Sequence, residues 1–153
     1  MDVGHTFLVL TEVIPGNNGP TTITRNVGFY PAYATTPFGN GVQGVLNNDE
    51  AHEYNISGTF NVGSGDLFFA ILSYLSQGNN SGYMYNINSN NCTTFAIDAL
   101  AAGHIYLPST IGYWLGGLGN DPGDLGEDLR TNNFTGMARS TLEQPHTNAG
   151  QCN

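Results

Sequence analysis

Apolar and polar positions organise the chain from its first residues. "GHTFLVLTEV" (4–13) is rich in β-formers, "IPGNNGP" (14–20) is dense in turn residues, and "TTITRNVGFY" (21–30) is again β-like, so the three predict a hairpin. With the turn centred on Asn17 and Asn18, paired residue numbers sum to about 35, which sets Tyr30 opposite His5. Residues 31–48 show little periodicity and read as an irregular crossing loop. In 53–62, Tyr54 and Ile56 and then Phe60 and Val62 alternate around Gly58, which predicts a strand with a bulge at the glycine. The stretch 64–78 predicts a helix: Ser64 as N-cap, Leu67, Phe68, Ile71, Leu72 and Leu75 as one apolar face, and Gly78 beyond its end. A short strand over 82–87 follows.

A second helix begins near residue 92. Asn90 or Asn91 can cap it, Phe95, Ala96, Ala99 and Leu100 recur at helical spacing, and Gly103 closes it. Cys92 therefore falls in its first turn. Beyond it, 106–119 reads as one more short helical piece, 120–130 as a turn with a helical turn, and the last twenty residues as a weakly structured tail. The expected class is α+β, a single domain over 1–153 with its core in about 3–130 and a loose tail over 131–153. A chain of 153 residues is long enough to bury a core without metals or several disulfides.

Charge then narrows the partners. There is no Lys, and Arg25, Arg130 and Arg139 face twelve carboxylates for a formal charge of −9, which argues against nucleic acid and anionic membrane surfaces. No apolar run is long enough to cross a bilayer. Few charges with much Gly, Asn and Thr resemble the composition of exported bacterial proteins, so a secreted, cell-surface or periplasmic location is expected. Any export signal is then expected upstream of Met1, on a longer protein. No cofactor is expected. Two distant cysteines give no basis for zinc, and Asp121, Asp124, Glu127 and Asp128 do not follow the calcium-loop spacing. Tyr106, Tyr113 and Trp114 read as packing residues rather than a groove.

The candidate chemistry centres on Cys92. Unpaired N–H groups and the helix dipole at a first turn favour a thiolate, and the Cys92 N–H can face a developing oxyanion. Three readings stand open: nucleophile, small buried hydrophobe, or disulfide partner of Cys152. A nucleophile needs a base. His104 lies roughly 18 Å away along the same helix, and His146 belongs to the loose tail. His52 sits in "NNDEAHEYN" among Asp49, Glu50 and Glu53, as in a solvated loop, and is the second choice. His5 opens an apolar strand after Gly4 and is preferred as base, the alternative being a strand-end histidine bonded to backbone.

"VGHTFLVL" followed by "NNCTTFAIDAL", joined by a hairpin, a strand and a helix, resembles the circularly permuted branch of papain-like cysteine hydrolases related to NlpC-type cell-wall peptidases. Lecithin:retinol acyltransferase-like enzymes share that order. More narrowly, "GHTF", "GFYP", "NCTTF" and "PGDLGEDLR" are similar to C-terminal domains of large exported bacterial proteins of Rhs type. The resemblance covers about residues 3–130. It implies a papain-like, permuted NlpC-type arrangement, with a small antiparallel sheet packed against the helix that bears the nucleophile. Cys92 would be the nucleophile, His5 the base, and a third polar group on the next strand would orient the imidazole. That strand offers Asn26 on side-chain chemistry and Tyr30 on register, without an obvious carboxylate or histidine. Asn90 and Asn91 are the candidate oxyanion or binding donors. The function implied is a cysteine peptidase or amidase acting on a peptide or a peptidoglycan stem amide, as the toxic tip of a secreted protein with an immunity or inhibitor protein as partner. The alternatives are an acyltransferase or lipid hydrolase on the same dyad, or an idle binding domain.

Overall fold

The computed structural model describes residues 4–142 and 146–150. Its elements are β1 (Phe7–Ile14), β2 (Thr21–Pro31), β3 (Val42–Asn48), β4 (Ser57–Phe60), α1 (Gly65–Ser76), β5 (Met84–Tyr85), α2 (Cys92–Ala102), β6 (Ile111–Trp114), β7 (Gly117–Asn120), α3 (Pro122–Thr131) and β8 (Met137–Ser140). The class is α+β: an antiparallel sheet in the order β1-β2-β3-β5, two two-stranded sheets (β4-β8 and β6-β7), and three α-helices. In the hairpin Phe7 pairs with Gly28 and Ile14 with Thr21, so paired numbers sum to 35, and His5 lies just ahead of the first pair.

The core forms where one face of the sheet meets α1 and α2. Phe29, Ile71, Leu75, Phe95 and Ala99 are buried there, with Phe29 stacked on Phe95 at 4.4 Å between ring centroids. Ser64 caps α1 by accepting from the Leu67 N–H, and of the expected apolar face Ile71 and Leu75 are buried while Leu72 is exposed.

The structure departs from the sequence reading in five places. The stretch taken as an irregular loop contains β3, whose Leu46 pairs with Phe29. Its alternation is hidden because Gly44 lies under the Phe29 ring, where a Cβ would come within 2.3 Å of the ring carbons. Gly58 makes no bulge, since Ser57 to Phe60 pair in regular register with Ser140 to Met137; the glycine is needed because a Cβ would lie 2.8 Å from the Met137 sulfur. Instead of a helical piece, 111–120 forms the β6-β7 hairpin, and Gly117 and Gly119 let it lie against Asn88. The single helical turn is the ten-residue α3, capped by Asp121 at its start and by Arg139, which donates to the Leu129 and Asn132 carbonyls, at its end. The tail is built in as well: β8 pairs with β4, and Ala149 bridges Thr24.

Candidate active site

The helix that presents Cys92 starts where it does because of Asn91. The Asn91 side-chain oxygen accepts from the Thr93 and Thr94 N–H groups, an N-cap that satisfies two of the helix's unpaired donors and makes Cys92 the first helical residue. Its amide nitrogen donates to the Ile87 and Asn120 carbonyls at 2.9 and 2.7 Å, tying the cap to the preceding loop and to β7. With both amide hydrogens committed, Asn91 is a capping residue and not the oxyanion donor expected of it. Asn90 likewise donates to the Met84 carbonyl at 2.7 Å, inside the 86–90 turn. Because Asn91 is buried, Asn91→Ala removes a cap worth about 1 kcal/mol and orphans two carbonyls. The expected loss is about 2–4 kcal/mol in a denaturant titration, with Asn91→Asp, which restores the acceptor but not the donors, falling between the two.

His5 reaches this helix terminus from the start of β1 and is held from behind. Its Nε2 lies 2.9 Å from Asp49 Oδ2, with the two side chains only 14% and 4% exposed. The Tyr30 hydroxyl donates to the other carboxylate oxygen at 2.7 Å and its ring lies 4.4 Å from the imidazole between centroids. Asp49 gets there because β3 stops at Asn48 and the chain turns: the His52 N–H donates to the Asp49 carbonyl, with Ala51 at φ 63°, the left-handed conformation such a turn requires. Space for the carboxylate comes from Gly28 of β2, where a Cβ would lie 1.9 Å from Asp49 Oδ2 and 2.7 Å from His5 Nε2.

With Nε2 taken by Asp49, Nδ1 is the ring nitrogen left for Cys92, and each of the two groups shifts the titration of the other. Burial alone would push the Cys92 thiol up. The hydrogen bond and charge of His5, then the Thr6 backbone N–H and the Thr93 hydroxyl, outweigh it and hold the thiol below its ordinary range. Burial likewise disfavours the charged imidazole, but Cys92 and Asp49 prevail and His5 stays protonated to higher pH than a free histidine. The two shifts run toward each other, each group favouring the charged form of the other. Thr93, itself fully buried, is fixed by a 2.9 Å hydrogen bond to Thr6.

Tyr85 of β5 closes the other side. Burial first, and then the Cys92 charge, push its phenol well above the usual range, so the hydroxyl stays neutral beside the Cys92 thiol.

Of the residues singled out in the sequence, Cys92 and His5 meet. Tyr30 touches the imidazole but bonds to Asp49, and Asn26 is turned to Asn148, its amide nitrogen 2.9 Å from the Asn148 side-chain oxygen. The group on Nε2 is therefore Asp49, from the turn after the third strand and not from the second strand. His52 is exposed, as a solvated loop suggests, yet its ring lies 5.4 Å from that of His5. His146, expected in a loose tail, stacks on Tyr54 with its ring 5.7 Å away between centroids. Cys92 carries a free thiol, and the Cys152 alternative lies outside the described residues. Among the described residues no group of three or more His, Cys, Asp and Glu is placed to hold a metal ion, and no helix is long and apolar enough to cross a membrane. Comparison with family models, curated proteins and solved structures returns no match.

Proposed function

We propose that the protein is a cysteine-dependent amide hydrolase of permuted papain-like arrangement, working through Cys92, His5 and Asp49. The observation that carries this reading is the imidazole of His5, hydrogen-bonded to a buried carboxylate and close enough to a thiol at a helix N-terminus to pull that thiol below its ordinary range. The thiolate attacks the amide carbonyl carbon, and the oxygen takes up the negative charge at the helix N-terminus beside the Cys92 N–H. As the tetrahedral carbon collapses, the C–N bond breaks and the His5 imidazolium gives its proton to the leaving nitrogen. Neutral His5 then takes a proton from water, whose oxygen attacks the thioester and releases a carboxylic acid and the thiolate. Asp49 keeps the proton on Nε2 in the neutral ring and stabilises the cation when both nitrogens are protonated.

The substrate class proposed is a peptide or peptidoglycan stem amide, met outside the cytoplasm by an exported protein, with an immunity or inhibitor protein as its controlling partner. What supports that setting is the acidic, lysine-free composition together with the order of the histidine strand and the cysteine helix.

A second reading has one observation in its favour. The β6-β7 hairpin is anchored at its base to Asn91, next to the nucleophile, and turns Ile111, Tyr113, Leu115 and Leu118 to solvent, with Tyr113 81% and Leu115 88% exposed. An uncharged apolar face on a hairpin tied to the helix N-terminus suits acyl transfer or hydrolysis of a lipid ester on the same residues. Isolated peptidoglycan, labelled peptides and phospholipid vesicles, each incubated with the native protein and with Cys92→Ala, separate the two. New amino ends in peptidoglycan or peptide that the Cys92→Ala protein does not produce bear out the amidase. Release of fatty acid alone favours the second reading. No difference between the two proteins on any of the three overturns both and leaves a binding domain.

A further inference from the structure

We infer that Asn148, on the segment 146–150, is the positioning residue that holds the turn after β3 in the form that stands Asp49 behind His5. The inference deepens the proposed triad and rests on it for its consequence in catalysis.

The need for such a residue follows from how β3 ends. Its regular pairing with β2 ends at Asn48 opposite Val27; the Asp49 N–H still donates to the Asn26 carbonyl at 3.3 Å, but the Asp49 carbonyl turns away to accept from the His52 N–H. Beyond that point β2 runs on as an edge strand, and Asn26, only 2% exposed, has a backbone N–H with no strand partner there. A buried donor left unpaired costs about 1–3 kcal/mol, and it would favour the Asp49 carbonyl swinging back onto β2 to complete the pair at the expense of the turn.

Asn148 removes that cost. Its side-chain oxygen accepts from the Asn26 N–H at 3.0 Å and from the Asn26 amide at 2.9 Å, standing where a strand carbonyl would be. Its amide nitrogen donates to Asn48 Oδ1 at 2.9 Å and Glu50 Oε2 at 3.3 Å, and its backbone N–H to Glu50 Oε1 at 2.9 Å. The residues immediately before and after Asp49 are thus both held by one side chain. The same segment continues the grip: the Ala51 N–H donates to the His146 carbonyl, Ala149 pairs with Thr24 across two backbone hydrogen bonds, and Arg25 donates to the Ala149 and Gly150 carbonyls. The end of the chain thus fills the place along β2 that β3 vacates.

The consequence is read on the imidazole and the thiol, not on turnover, so it shows whether or not the protein cleaves an amide. Expected for Asn148→Ala is a fall in the His5 pKa followed by NMR, in the direction of Asp49→Asn, and Cys92 alkylation about 3–10-fold slower at pH 6. The pair Asn148→Asp with Glu50→Gln, which keeps the acceptor for Asn26 and lets the new amide donate in reverse, is expected to bring both readouts back toward native. An Asn148→Ala titration that superimposes on the native one overturns the inference. So does a folded double variant that stays at the Asn148→Ala values, since the shift is then general loosening. Should Asn148→Ala fail to fold, Asn148→Ser retains an acceptor for Asn26 while losing the reach to Asn48 and Glu50. A smaller shift in the same direction then supports the inference, and none overturns it. If the native protein itself shows no dependence of Cys92 reactivity on His5, it is the proposed triad that has failed, a different result from an unmoved His5 titration in Asn148→Ala.

Discussion

Asp49→Asn is expected to lower amide hydrolysis by about 10²–10⁴-fold while leaving the fold in place, because the change keeps the size of the side chain and reverses what it offers the imidazole. The carboxylate accepts the Nε2 proton and leaves Nδ1 as the base toward Cys92. An Asn amide can donate to Nε2 instead, which puts the neutral ring's proton on Nδ1 and points an N–H at the sulfur. The charge goes too. His5 owes part of its raised pKa to Asp49, so the variant's imidazolium deprotonates at lower pH; with less imidazolium present the thiolate loses its main stabilising neighbour, and the Cys92 pKa rises. The range in which thiolate and imidazolium coexist narrows from both ends. A pH–rate profile of the variant should be lower and narrower than the native one, and an unchanged profile would remove Asp49 from the triad.

Gly28→Ala is expected to cost nearly as much activity, although no atom of Gly28 touches the sulfur. Its added methyl would lie 1.9 Å from Asp49 Oδ2, closer than any real contact, and 2.7 Å from His5 Nε2. The backbone cannot yield easily, since Gly28 is paired on one side with Phe7 and on the other with Asn47. The side chains must therefore part. Overpacking of this kind costs about 1–3 kcal/mol of stability. Activity should fall toward the level of Asp49→Asn, and Gly28→Ala added to Asp49→Asn should lower it little further, because both act on the same contact. Full additivity of the two losses, or native turnover in Gly28→Ala, contradicts the arrangement.

What the sequence made legible were the parts specified locally. The β1-β2 hairpin carries its own turn residues, and the register they imply is the one observed, with paired numbers summing to 35. The α1 and α2 caps and apolar faces are likewise local, and with them the placing of Cys92 at a helix start near the strand that carries His5. The third member was missed for a nameable reason. Asp49 follows β3, and β3 has no visible alternation because the position facing the core is Gly44, kept bare for the Phe29 ring. With the strand hidden, Asp49 reads as one carboxylate of an acidic loop, and the strand that follows His5 offers Asn26 and Tyr30. Tyr85 was hidden similarly, in a strand of two residues. The Asn residues of 86–91 were open to several uses, and burial decides among them: each buried amide hydrogen of Asn91 already has a carbonyl. The role of Asn148 depends on contacts 122 residues apart in sequence, which no local pattern encodes.

The most direct test of the account is the rate of Cys92 alkylation by iodoacetamide as a function of pH, in the native protein and in His5→Ala. The account predicts a native thiol reactive well below the ordinary thiol pKa of about 8.5, titrating in two steps that belong to the pair. In His5→Ala the two should merge into a single step at higher pH, because burial then acts on the thiol without the imidazolium to offset it. Identical profiles with and without His5 would mean that the two side chains do not act together, and the proposed hydrolase would lose its base.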